Sequence, residues 1–183
     1  MQQTSVVFTY DDYLTLPADG KRYEIIEGEL YMTPAPFTDH QRILGRLFRL
    51  LDEFVRKNNL GEVFLAPTDV VLSMTSVVQP DILFVSKERS NIITKKNIIA
   101  APDLVIEILS EATEKTDRTA KKAMYEQFGV REYWIVDPEQ KLVEVYTLVG
   151  NKFSESGVYR GNDKLKSALL RELSLEVNKI FGG

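Results

Sequence analysis

Cysteine is absent from the 183-residue chain. That excludes disulfides and thiolate metal sites, and it fits a reducing, cytoplasmic setting. No apolar run approaches the roughly 20 residues a membrane-spanning helix needs, so no membrane partner is expected. The N-terminal "MQQTSVVFTYDDY" lacks the basic start and long apolar stretch of a signal peptide. Glycine-rich phosphate loops of the P-loop or dinucleotide type are missing. A nucleophile–histidine triad would have to use His40, the only histidine, and no nucleophile-elbow motif accompanies it. Excess positive charge is lacking as well. A net charge of −4 creates no overall field toward nucleic acid, so binding it would need a local basic surface or a bridging metal ion.

What is present is an ordinary globular composition, with 44% hydrophobic and 27% charged residues. Without repeats or linker-like tracts, residues 1–183 are expected to form one domain. "TYDDYLTLP" starts with a capping-box pattern, Thr9 and Asp12, for a short helix. "RYEIIEGELYMT" reads as a hairpin turning at Glu27-Gly28. From His40 to Lys57, Ile43, Leu44, Leu47, Leu50, Leu51, Phe54 and Val55 keep the spacing of an amphipathic helix. Short β-like runs follow, "EVFLA", "DVVLS", "SVVQ" and "DILFVS", edged by Gly61, Pro67 and Pro80. Next come a strand (Leu104 to Leu109), a helix (about Asp117 to Phe128) and the strands "REYWIVD" and "LVEVYTL". A last amphipathic helix is expected to carry Leu169, Leu170, Leu173, Leu175, Val177 and Ile180. The fold class is α/β, a mixed sheet flanked by helices.

Glu107 interrupts the apolar run Leu104 to Leu109. A carboxylate buried without a partner costs several kcal/mol, about 3–5 where one partner is missing. Asp103 shares its strand face but lies about 13 Å along an extended strand, too far to share an ion. Asp81 opens the apolar run Ile82 to Val85. If the two strands are neighbours, about 4.8 Å apart, both carboxylates reach one divalent cation. Such a cation also makes a bound water a usable nucleophile near neutral pH. A lysine that steadies the water or the developing phosphate charge would complete the site. Lys121 shares a helix face with Asp117, Met124, Tyr125 and Phe128, whereas Lys122 is turned about 100° away and belongs in water.

Asp81, Glu107 and a lysine resemble the constellation of the PD-(D/E)xK nuclease superfamily. "RYEIIEGELYMTPAP", "VVQPDILFV", "APDLVIEILS" and "DRTAKKAMYEQFGVREYWIVDP" resemble the Uma-two family of "putative restriction endonucleases" over nearly the whole chain. The resemblance implies a restriction-endonuclease-like fold, a Mg²⁺ site in which Mn²⁺ can substitute, DNA as partner and a homodimer. The lysine that the superfamily places two residues after the glutamate is Leu109 here. Lys121 on the following helix is similar to the substitute used in the family.

Blander readings stand beside these. Asp81 and Glu107 could be strand-end acids bonded to backbone amides or surface lysines. Lys121 could form an i, i+4 pair with Asp117, worth about 0.3–0.5 kcal/mol if exposed. Glu24, His40 and Asp117 are candidate auxiliary groups. Glu24 on the hairpin is expected at the surface, and His40 is expected to cap the long helix rather than to bind metal. Arg42, Arg46 and Arg49 are candidate phosphate contacts on the helix's polar face, with a solvated face as the plainer reading. Tyr133 and Trp134 read as core residues. A non-cleaving dimeric binding or assembly module is the alternative to an endonuclease.

Overall fold

A computed structural model describes residues 6–183, so residues 1–5 of the stretch read for a signal peptide lie outside the described residues. Helix α1 (Tyr10–Tyr13) is started by the capping box, with Thr9 and Asp12 satisfying each other's backbone amides. Strands β1 (Arg22–Ile26) and β2 (Glu29–Thr33) form the hairpin. Glu27 and Gly28 both take positive φ, 50° and 85°, as a tight turn between right-twisting strands requires. The long helix α2 (Thr38–Lys57) then buries Ile43, Leu44, Leu47, Leu51 and Val55.

Strands β3 (Gly61–Leu65), β4 (Val70–Ser73), β5 (Ser76–Val78), β6 (Ile82–Ser86), β7 (Ile98–Ile99) and β8 (Leu104–Ile108) come next. Residues 114–127 are helical throughout and are called α3. Their middle, Asp117–Lys121, is wound as π-helix. Strands β9 (Glu132–Asp137), β10 (Leu142–Val149), β11 (Lys152–Arg160), β12 (Lys164–Lys166) and β13 (Ser174–Glu176) precede a C-terminal helix, Val177–Phe181.

One sheet has the order β2-β1-β5-β4-β7, and a larger one runs β11-β10-β9-β8-β6-β3. Side chains alternate across the larger sheet, since successive strand residues point to opposite faces. Ile82, Phe84, Leu104, Ile106, Ile108, Trp134 and Val136 join α2 and the C-terminal segment in one core. Leu83, Val85, Val105, Tyr133 and Ile135 face the other way, packing with Ile26, Val70 and Val78 of the smaller sheet and Met124 and Tyr125 of α3. Odd-numbered positions of β6 and β8 therefore face α3 and the hairpin sheet. Among the described residues no helix is long and apolar enough to cross a membrane.

Two expectations need correction, and one strand has no counterpart among the expected elements. The last amphipathic helix shrinks to Val177–Phe181, and Leu175 belongs to β13, paired antiparallel with β12. Leu173, Leu175 and Val177 alternate, and the strand period outweighed the helical reading. Strand β11 lies at a sheet edge with mostly exposed positions, so its sequence carries little apolar signal. Helix α3 starts at Glu114 rather than near Asp117.

Candidate active site

Strands β6 and β8 are antiparallel neighbours with Ile82 opposite Ile106. One step outward, that register sets Asp81 opposite Glu107. Both are odd-numbered, so both turn toward α3 and the hairpin. The carboxylate of Asp81 reaches across, its Oδ2 accepting the Ile108 N–H at 2.9 Å. The Asp81 N–H in turn points at Glu107 Oε2, 3.4 Å away.

Helix α3 brings Lys121 and Tyr125 onto Glu107. Lys121 Nζ lies 3.1 Å and the Tyr125 hydroxyl 2.8 Å from Glu107 Oε1. The same ammonium lies 2.9 Å from Glu24 Oε2 and 3.4 Å from Asp117 Oδ1, so one lysine joins three carboxylates. Asp117, Lys121 and Tyr125 are spaced i, i+4, i+8 and share one helix face. Strand β1 contributes Glu24 and, two residues earlier on the same face, Arg22. Arg22 Nη1 is 3.4 Å from Asp81 Oδ1. From α2, His40 sets Nε2 3.0 Å from Asp81 Oδ2.

Gln79 closes the cleft. Its backbone N–H donates to Glu24 Oε1 at 2.7 Å. Its side-chain amide donates to the Tyr13 hydroxyl at 3.0 Å and to Asp69 Oδ1 at 2.8 Å. Tyr13 donates to the same Asp69 oxygen at 2.7 Å, so both amide hydrogens have fixed acceptors. The carbonyl end, Gln79 Oε1, is left buried with no partner, as is Asp117 Oδ1 apart from its ion contact. These groups line a cleft of about 30 Å³, bounded also by Thr33 and Thr113. That is room for one ion or water.

Four carboxylates line the cleft, Glu24, Asp81, Glu107 and Asp117, against the cations Arg22 and Lys121. Carboxyl groups outnumber the cations by two. The electrostatics follow. Burial pushes the Glu107 carboxyl well above its usual range; Lys121 opposes the shift, and Asp117, Asp81 and Glu24 reinforce it. Burial raises Asp117 too, with Lys121 opposing. For Asp81 burial also acts upward, but the His40 bond and charge and the Ile108 amide prevail and hold it below the ordinary value. Burial alone would lower Lys121; Glu107, Glu24 and Asp117 raise it well above a normal lysine, so it stays an ammonium.

Several residues stand elsewhere than expected. Glu24 is 5% exposed, an inward position on β1 rather than a surface one. His40 does not cap α2, whose N-cap is Phe37; it is buried against Asp81. The Asp117–Lys121 pair is buried rather than solvated. Lys122 is partly buried, with its ammonium 3.4 Å from the centroid of the Tyr146 ring rather than in water. Asp103 lies away from the cleft, accepting the Ser86 N–H and pairing with Arg89 and Arg131. Arg42 and Arg49 are exposed, Arg42 pairing with Asp39, and Arg46 lies against Gly182; none of the three lines the cleft. Tyr133 and Trp134 are in the core, as expected. Arg22 and Gln79 were not anticipated as site residues. Gln79, a polar residue directly before Pro80-Asp81, carried a signal; Arg22 carried none beyond its parity with Glu24.

Among the described residues, no group of three or more histidine, aspartate or glutamate side chains is arranged as a complete metal-ligand set. Lys121 stands where three of the carboxylates converge.

A family model named Uma2 and described as "Putative restriction endonuclease" matches residues 10–178. Among solved structures, one titled a "putative nuclease belonging to DUF820", from Anabaena variabilis ATCC 29413, is similar at a TM-score of 0.79. The two chains are 25% identical, and the match covers 96% of this chain and 98% of that one. No curated protein matches the chain.

Proposed function

Because the chain belongs to the Uma2 family of restriction-endonuclease relatives, we propose that it is a metal-dependent DNA endonuclease working at the carboxylate cleft. The observation that carries this reading is the placement of Asp81 and Glu107 face to face across β6 and β8, with the Lys121 ammonium on Glu107. The residues present fit a hard divalent cation, Mg²⁺ with Mn²⁺ as substitute. Carboxyl groups in excess of cations, a cleft of one-ion size and an orphaned neutral oxygen, Gln79 Oε1, suit such an ion. Mg²⁺ is commonly held by one or two carboxylates with water completing its shell, so a full protein cage is not required. Asp81 and Glu107 would hold the ion, with Gln79 Oε1 as a further oxygen donor. When bound, it would acidify a water and offset charge on the phosphate.

The chain's own groups do the rest. Hydrolysis forms a bond from a water oxygen to phosphorus and breaks a P–O ester bond, and the leaving oxygen takes up a proton. Lys121 stays charged, so it acts by hydrogen bonding and charge rather than as a base. Asp117 and Glu24 fix its ammonium, and Tyr125 fixes Glu107. His40 and the Ile108 amide hold Asp81 ionised. Arg22, 22% exposed, keeps donors free at the mouth for a phosphate oxygen. A one-site domain that cuts both strands needs two copies, and a two-fold homodimer belongs to this proposal.

Calorimetric titration of Mg²⁺ and Mn²⁺ into wild type and Asp81→Ala, paired with plasmid cleavage, tests the reading. Wild type should bind the metal and cut, and Asp81→Ala should do neither. Cleavage that survives Asp81→Ala would refute the assignment. Metal and DNA binding without any cleavage would favour the non-cleaving module.

A further inference from the structure

A second cavity, of about 450 Å³, adjoins the carboxylate cleft and shares Arg22 and Thr33 with it. Its other walls come from the loop between β2 and α2, with Pro34, Pro36 and Phe37, from His40, and from the turn after β8. We propose that this cavity takes one unpaired or extruded nucleobase of the strand being cut, so that the substrate is DNA that can present such a base next to the scissile phosphate. The inference rests on the nuclease reading above.

Size is the first argument. The cleft itself holds an ion or a water, so the organic part of any substrate has to lie outside it. The adjoining cavity falls within the roughly 300–1,000 Å³ range that accepts small organic ligands. Its chemistry is the second argument. The walls are mostly apolar, with Arg22 at the end shared with the cleft and Glu111 among the remaining lining. An uncharged planar ring fits there, with its phosphate toward Arg22 and the carboxylates. A polyanion along the whole cavity does not.

Phe37 is the third argument. It is 77% exposed, a large aromatic ring left in water on a cavity wall. The prolines on its N-terminal side fix φ at two loop positions, and Phe37 itself is the N-cap of α2. The ring is therefore carried on a stiff support. Bases stack on such rings in single-strand-binding proteins. In a continuous duplex both faces of every base are covered by neighbours, so only an unpaired or extruded base can offer one. A net charge of −4 supplies no overall field toward a duplex backbone.

The test uses oligonucleotides with 2-aminopurine at one position, either unpaired or inside a blunt duplex, in Ca²⁺ so that binding is read without turnover. Wild type should bind the unpaired probe more tightly than the duplex and quench its fluorescence. Phe37→Ala should weaken that binding about 5- to 150-fold. Phe37→Trp should retain it. Phe37 is exposed, so folding is not at stake. Ala112→Trp, which adds a bulky ring at the lining contributed by the turn after β8, should also weaken binding. Equal affinity for both probes, no effect of Phe37→Ala, or no binding of either probe would overturn the inference. Phe37-dependent binding with no cleavage in Mg²⁺ or Mn²⁺ would remove the nuclease reading and leave the base pocket standing. Duplex cleavage indifferent to Phe37 and Ala112 would do the reverse.

Discussion

Replacing Lys121 by methionine strips the Glu24, Glu107 and Asp117 carboxylates of the one cation that bridges them among the described residues. At about 3 Å and an effective dielectric near 20, each contact is worth about 5 kcal/mol of Coulomb attraction. Most of that is offset by desolvation, several kcal/mol per buried ion. What remains is the cost of removing one partner from a buried ion cluster, about 3–5 kcal/mol. For a domain of this size 1 kcal/mol moves the melting temperature by about 2–4 °C, so the metal-free variant should melt roughly 6–20 °C lower. The wild-type lysine has its pKa raised in the folded state, so its contribution is complete below the unfolded value near 10.4 and is lost as pH rises through the folded value. The deficit should therefore be largest on the alkaline side and shrink as the pH falls, because Glu107 and Asp117, whose carboxyls are raised by burial and lose the opposing ammonium in the variant, take up protons. Added Mg²⁺ should recover part of it. Turnover should fall about 100- to 1000-fold. Lys122→Ala is the control, because it loses only a cation–π contact, about 0.5–1 kcal/mol, and should keep turnover within a few fold. Thermal melts with and without Mg²⁺, alongside cleavage rates, decide the matter. A Lys121→Met protein as stable as wild type without metal, or activity losses equal to those of Lys122→Ala, would refute the reasoning.

Gln79→Leu removes the orphaned oxygen and should lower Mg²⁺ or Mn²⁺ affinity about 10- to 100-fold by calorimetry; Tyr13→Phe, which leaves Asp69 to orient the amide, should cost less. Asp103→Asn loses charge-assisted bonds to the Ser86 amide, Arg89 and Arg131, and should destabilise the fold by about 1.5–3 kcal/mol at pH 7 in urea melts. Burial alone would raise the Asp103 pKa, but the Ser86 amide and Arg89 lower it, so its contribution exists above the unfolded value near 3.9 and fades as pH falls through the folded one. A gap from wild type that persists unchanged at pH 2 would contradict this. Sedimentation should show a two-fold dimer at micromolar concentration; a monomer would count against double-strand cleavage and leave nicking open.

Local pattern determined a good deal. The helical spacing from Ile43 to Val55, the turn at Glu27-Gly28 and the apolar runs Ile82–Val85 and Leu104–Ile108 were legible because each is set within one element. So was the oddity of Glu107, since a carboxylate inside a strand of that kind demands a partner wherever the strand goes. Lys121's choice of face over Lys122 followed from helix geometry. The tertiary structure decided who the partners are. Only the β6–β8 register sets Asp81 against Glu107, a residue 26 positions away. Only the packing of the hairpin sheet over that face brings Glu24 and Gln79 to Lys121, burying an acid whose place on a hairpin suggested water. His40 could not be read from α2 alone, because its burial depends on Asp81 lying opposite. In the C-terminal segment, the run Leu169 to Ile180 satisfied a helical spacing overall and a strand spacing from Leu173 to Val177. Pairing of β13 with β12 resolved the ambiguity. Periodicity says which side chains of an element share a face; register and packing between distant segments say what that face meets.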